Sequence, residues 1–585
     1  GSISLVSEKG AINMHARALT SSGSAAGDIV YQAPSGISLG GLDAGKGSVL
    51  LQTQGKVEEA GDWYKEVVAD GLAIVADGAG SLEKEGYLDT FVNKLAVQAG
   101  QGGLSLINQG YLSVDKVQVS YQQAQGLDQF ELSDVQTSEN GSVVLISSEG
   151  GLSISEGADA DGAGLSVSGN IFLQALAGQG AAQIELQENA DVKSEKGQIS
   201  LQAASGVVQY TGADIRSTGG SIDVLAVSGG ISMADDSLAD TGSAQGSIRY
   251  AADTGDITLG GLNAGKGNVS VIAKEGSVLD GGDKYKDIQA FAARLNAGTG
   301  LGEFNAEFDA LDLEVKTLSA RSGSAGMNLS ETDDLSVGEV SVLVNRVDAQ
   351  AETSELRDEG QSDLKTADSG SILLSSTGGS ISVGSIEAIG ATVFIQARDN
   401  ISDAGDQRAD LAENTDIKAE SLVLKAEGVG QTRSYDPLET EVSALAAEIG
   451  QGDLNLINQD DLTVQSNDSE LVLSVLDRKV EGVSADSFVS LVSRQGTIRV
   501  SDQLQAEDVL LQSYTQEISV QNEKIDSADI YATVEGDKLN YSWQAREDFN
   551  NFQLNLYIQN ELSSRFWLYD ETSYSDTFEP ESYAL

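Results

Sequence analysis

One stretch of twelve residues constrains this chain more than any other. Gly103-Leu-Ser-Leu-Ile-Asn-Gln-Gly110-Tyr-Leu-Ser-Val114 returns as Asp453-Leu-Asn-Leu-Ile-Asn-Gln-Asp460-Asp-Leu-Thr-Val464. A looser version is Gly326-Met-Asn-Leu-Ser-Glu-Thr-Asp333-Asp-Leu-Ser-Val337. Each reads as two short alternating strands joined by a polar turn. Recurrence within one chain is the signature of a repeat architecture.

A shorter word runs through the rest: glycine, a small polar residue, a branched aliphatic, any residue, an aliphatic. It stands at Gly1-Ser-Ile-Ser-Leu5, Gly47-Ser-Val-Leu-Leu51, Gly197-Gln-Ile-Ser-Leu201, Gly246-Ser-Ile-Arg-Tyr250 and Gly370-Ser-Ile-Leu-Leu374, among others. Its internal period of two marks a strand with one apolar face. The leading glycine is read as a corner residue whose backbone other side chains would strain. Words often come in pairs, as in Gly220-Ser-Ile222 with Gly230-Ile-Ser-Met233, and pairs follow one another every 20 to 26 residues. That distance holds three short strands and their corners, one turn of a parallel β-solenoid whose strands pair with their equivalents about 4.8 Å away.

The spacing therefore predicts an all-β chain: a right-handed parallel β-helix over residues 1–515, of ~20 turns. Ile3, Ile12, Ile222, Ile231, Ile248 and Ile372 are its predicted inward columns. An antiparallel sandwich fits less well, because Asn-Gly and Asp-Gly hairpin turns are few and aromatics make up only 5% of the chain. A longer period overlies the short one. Residues 1–27 match 220–246, and modules lie near 27–123, 246–343 and 370–466. Each module passes through an acidic turn (Glu59–Asp62, Asp280–Asp283, Asp403–Asp406) and ends on the recurrent strand pair. Leu82–Asn93 and Gln431–Val442 read as short loops or a helical turn on the flank, and Asn345–Ala367 as a polar excursion. From about 522 the composition shifts to aromatic alternation, with Tyr541-Ser-Trp-Gln544 and Phe552-Gln-Leu-Asn-Leu556. This predicts a separate, partial β-sandwich over 522–585 with Trp543 in its core.

The net charge of −55 opposes nucleic acid and anionic membranes as partners. No apolar run reaches the length of a membrane span. The absence of cysteine excludes disulfides and thiolate metal sites. Gly1 opens in mid-repeat, so the expectation is either a fragment of a larger chain or self-association at the ends of the solenoid.

The order of words, with Leu88-Asp-Thr90 and Leu438-Glu-Thr440 after the acidic turns, resembles large bacterial exoproteins of the filamentous-haemagglutinin type. That resemblance covers roughly residues 1–515 and implies a parallel β-helix on a secreted adhesin at the bacterial cell surface. The C-terminal stretch resembles fibronectin-type-III-like modules of bacterial surface and FecR-like proteins. Neither resemblance brings functional residues with it.

Chemistry is sparse. The acid pairs Asp235-Asp236, Asp333-Asp334 and Asp460-Asp461 fall on turns, two of them equivalent, which favours solvation of a turn over a unique site. His15 is the single histidine. Lys46 and Lys266 recur in Gly-Lys-Gly without phosphate-loop spacing. Asp159 and Asp161 alternate with small residues as in some calcium loops, but lack the distal glutamate of an EF-hand. Calcium at that loop is the one cofactor considered. The expectation is a non-enzymatic extracellular stalk or filament segment with a cell-surface or glycan ligand. The alternative is a polysaccharide-binding or polysaccharide-processing β-helix, using Asp62 or Asp283 with Trp63, Tyr64 and Tyr285 as sugar platforms.

Overall fold

A computed structural model describes the chain apart from residues 24–26, 62–64, 83–85, 124–125, 158–160, 179–180, 243–244, 305–308, 368, 405–414, 431–435, 515–517, 521–524, 527–528, 535–538, 545–550, 559–560, 570–572 and 579–585. The chain divides into two compact units. The first is Gly1–Arg294 with Ser341–Glu359, and the second is Leu295–Val340 with Gly360–Leu585.

Both units are parallel β-helices. In the first, three sides of each turn are built from alternating strands, and each side carries an inward aliphatic column. One column runs Ile171, Ile199, Ile222, Ile248, Val269. The second runs Ile184, Val207, Ile231, Ile257, Val278. The third runs Val192, Ile215, Ala239, Leu262, Ile288. In the second unit Met327, Ile372, Val393, Leu422 and Leu445 stack in the same way. Of the six isoleucines expected inside, Ile12, Ile222, Ile231, Ile248 and Ile372 are buried, while Ile3, on the first turn, is half-buried.

The leading glycine of the strand word has a different cause from the one its sequence suggests. Gly47, Gly246 and Gly267 do not adopt positive φ. A Cβ on Gly246 would collide with the carbonyl of Gly220, and one on Gly267 with the carbonyl of Gly246. Stacked turns leave no room for a side chain at this corner. The requirement is close backbone approach, not left-handed conformation.

Outward positions of the first strand also stack, and three such columns are covered by excursions from the helix. Val30, Leu50, Ala73 and Ala96 lie under an antiparallel hairpin, Val117–Gln123 with Gly126–Leu132, through Val117, Val119 and Tyr121. In the second unit, Leu373, Phe394, Val423 and Ala446 lie under the short helix Glu470–Leu476.

The third cover arrives from far along the chain. The polar segment read as an excursion is a hairpin, Val340–Val347 with Thr353–Gln361. Within the first unit it lies along the outward column Val144, Phe172, Ser200, Asp223, Arg249, Ser270. Its contacts follow that column turn by turn. Val347 packs on Val144 and Phe172. Val347 N donates to Ser200 Oγ at 2.9 Å. Arg346 Nε reaches Asp223 Oδ2 at 2.6 Å, and Arg249 bridges Asp223 Oδ1 at 3.1 Å and Asp358 Oδ2 at 3.0 Å. Ser270 Oγ donates to Asp358 at 2.6 Å. Asp223 is fully buried between its two arginines.

Leu88–Phe91, within the expected loop Leu82–Asn93, and residues 438–442, within the expected loop Gln431–Val442, are strand: the first is a strand of its own and the second opens the strand Leu438–Ile449 of the parallel stack. Their alternation is short, but each pairs with a strand on a neighbouring turn. The parallel ladder also extends beyond 522. Asp529–Val534 pairs in parallel with Asp508–Ser513, and Asn551–Ile558 in parallel with Asp529–Val534. Ile530 and Ala532 pair in register with Val509 and Leu511, so the parallel pairing does not stop at the composition shift. Antiparallel pairing joins Asn551–Ile558 to Glu561–Tyr569, and Leu539–Gln544, which contains Trp543, to Ser573–Phe578. Among the described residues no helix is long and apolar enough to cross a membrane.

Candidate functional site

The recurrent strand pair builds a fixed corner. Asn108 and Asn458, the asparagines of Leu-Ile-Asn, are fully buried. Asn108 Oδ1 accepts from Thr90 Oγ1 at 3.0 Å and Val92 N at 2.9 Å, and its Nδ2 donates to Val92 O at 3.1 Å. Asn458 repeats this with Thr440 at 2.9 Å, Val442 N at 2.9 Å and Val442 O at 3.1 Å. One carboxamide thus satisfies backbone groups that a corner would otherwise leave unpaired. In the looser copy Glu331 takes this place and accepts from the amides of Val315, Thr332 and Asp333. Burial pushes its carboxyl up to about 7.

A second feature repeats beneath the corner. Glu66 Oε2 accepts the amide of Asp89 at 2.7 Å, one turn on, and Asp416 Oδ2 accepts the amide of Glu439 at 2.8 Å. Glu66 is buried with no hydrogen-bond partner for Oε1 among the described residues, and burial raises its carboxyl to about 8. Around Asp416 the acids converge further. Single oxygens of Asp403, Asp416 and Glu439 lie within 4.8 Å of one another, an all-oxygen set of the kind hard cations take. Burial, then repulsion from Asp403, raises both Asp416 and Glu439, and Arg494 Nη2 stands 3.8 Å from Glu439. The sequence reading singled out Asp403 in its acidic turn but not Asp416 or Glu439, since Glu439 comes from the next turn and no local spacing links the three.

The outer surface of the same corner carries a groove of about 710 Å³ in the second unit. Glu387, Lys418 and Glu441 occupy one ladder across its turns, and Glu420, Asp460 and Asp461 complete its charged lining. Lys365 neutralises Glu387 at 2.7 Å, and Lys418 neutralises Glu441 at 3.0 Å. No aromatic ring is among the described lining residues.

The residues singled out from sequence are turn residues where they are described. Asp334 Oδ1 caps the amide of Ser380 at 2.9 Å, and Asp461 Oδ1 caps that of Thr497 at 2.6 Å. Asp235 Oδ1 accepts from Lys284 N at 2.8 Å, and Asp236 from Gly212 N at 3.2 Å. His15 Nδ1 accepts from Arg17 N at 3.1 Å. Lys46 and Lys266 follow Gly45 at φ 56° and Gly265 at φ 55°, which places them in left-handed turns. Asp161 Oδ1 accepts the amide of Ala163 at 2.9 Å, and Asp159 lies outside the described residues. So do Asp62, Trp63, Tyr64 and Asp406. Asp283 and Tyr285 are exposed on their turn, with Lys284 Nζ 5.6 Å from the Tyr285 ring centre.

Compared with known proteins, the chain matches no family model, no curated protein and no solved structure.

Proposed function

We propose that this chain is a non-enzymatic extracellular scaffold, a stalk or filament segment of a bacterial surface exoprotein of the filamentous-haemagglutinin type, with a partial fibronectin-III-like module over 522–585. The observation that carries this reading is the employment of the acids. The turn carboxylates of Asp235, Asp236, Asp334 and Asp461 cap backbone amides of neighbouring turns. Catalysis needs acids and bases converging on one reacting atom; these caps are spread over separate turns, and of the converging Asp403, Asp416 and Glu439 the last two are buried. A stack of turns holds whatever it displays at fixed intervals, which suits a surface that presents ligands or binding residues.

A polysaccharide-processing β-helix is the second reading, favoured by the groove with its acids and Lys418. The two are separated by incubating the chain with neutral and acidic polysaccharides and measuring new reducing ends. The scaffold reading expects none. Turnover that disappears in Glu441→Gln or Asp460→Asn would replace it with the second.

A further inference from the structure

The corners that end the first and third modules share one interior and differ on the exterior. Thr90 with Asn108 and Thr440 with Asn458 make the same hydrogen bonds. On that common frame Phe91 stands where Glu441 stands, and Gly110-Tyr111 where Asp460-Asp461 stands. In the second unit these positions are acidic and line the groove. In the first unit two of the three are aromatic, and the rings are half exposed: Phe91 is 51% exposed and Tyr111 50%.

The two half-exposed rings stand on successive turns, Phe91 at the end of a strand that pairs with Leu106–Asn108 and Tyr111 just after that segment. Each ring has a glycine beside it. A Cβ on Gly110 would come within 3.4 Å of the Phe91 ring, and one on Gly151 within 3.3 Å of the Tyr111 ring. The rings rest against bare backbone of the next turn. Polar side chains follow each ring two residues on: Asn93, whose Nδ2 donates to Asp70 Oδ1 at 2.9 Å, and Ser113.

We propose that Phe91 and Tyr111 form a stacking platform for a neutral polysaccharide, with Asn93 and Ser113 as hydrogen-bonding neighbours. The inference rests on the adhesive reading and names its ligand class. An aromatic face offers an apolar surface to the C–H face of a pyranose, while nearby polar groups take its hydroxyls. The rise of about 4.8 Å per turn is close to the length of one sugar residue, so successive turns meet successive sugars. The charge of −55 disfavours carboxylated or sulfated chains. A protein partner would need about 800 Å² from this side, far more than two half-exposed rings offer.

The test is calorimetric titration of the full chain with cellohexaose, laminarihexaose, mannohexaose and maltohexaose. At least one is expected to bind, with affinity at least tenfold weaker in Phe91→Ala/Tyr111→Ala and retained in Phe91→Trp/Tyr111→Trp. The substituted side chains face solvent, and unchanged thermal unfolding of both variants verifies that the fold is intact. The proposal is overturned if none of the four binds, if the alanine variant binds as the native chain does, or if polygalacturonate binds more tightly than the neutral sugars. Absence of binding would leave the non-enzymatic scaffold reading standing. Cleavage of a bound hexasaccharide would support the platform and overturn that reading instead.

Discussion

The buried asparagine of Leu-Ile-Asn explains why that tripeptide recurs. Its carboxamide presents an acceptor and two donors to a corner that lacks a strand partner. Asn458→Ala strands Val442 N and Val442 O in a dry site and leaves Thr440 Oγ1 only its long bond to Ile457 O at 3.4 Å. Urea denaturation is expected to show the second unit destabilised by about 2–4 kcal/mol, the cost of several unmade buried hydrogen bonds. A midpoint unchanged from the native chain would mean that water replaces the carboxamide. Glu66 carries a pH dependence. Its folded pKa, about 8, lies above the ordinary value of 4.5, so the native state holds a proton that the unfolded state releases. Its contribution is fully present below pH 4.5 and is lost as pH rises through 8. Glu66→Gln is therefore expected to be more stable than the native chain at pH 9, by on the order of 5 kcal/mol for a rise of about 3.5 pKa units. The difference should close at pH 4. Parallel stability curves across that range would contradict the assignment.

Between residue and fold lie the strand word and the covers laid over it. The word was legible because a period of two recurs from turn to turn and a leading glycine marks many of the turns. The physical role of that glycine was not, since a clash with a carbonyl one turn away leaves no mark in local sequence. Gly267→Ala is expected to destabilise the first unit by roughly 2 kcal/mol or more, through strain against Gly246 rather than through φ. The covering hairpin was legible only as polarity. Its partners Ser200, Asp223, Arg249 and Ser270 are spaced by whole turns and lie far from it along the chain. Asp223→Ala leaves Arg249 and Arg346 without their shared carboxylate. Breaking one partner of a buried ion pair costs about 3–5 kcal/mol. The expected readout is loss of amide protection across 341–359 by hydrogen exchange, ahead of the inward columns. Uniform loss over the whole first unit would show that the hairpin is part of its cooperative core.

For the molecule as a whole, each unit is a stack in which inward columns are nearly constant and corners carry the differences. The fold class was legible because an aliphatic, glycine-punctuated, cysteine-free chain has few other ways to bury alternate residues. The functional surface was less so. Phe91 and Glu441 are unremarkable until the shared hydrogen bonds of Asn108 and Asn458 show that they occupy one position. The stack itself can be measured directly, because the chain has no cysteine to compete with introduced labels. Glu185 and Leu279 are four rungs apart on one outward ladder, through Val208, Ser232 and Thr258. Nitroxide labels on Glu185→Cys and Leu279→Cys, read by double electron–electron resonance, are expected to give one narrow distribution near 20 Å, since four rungs span about 19 Å. A broad distribution, or a mean beyond twice that distance, would contradict the parallel in-register stack on which everything else here depends.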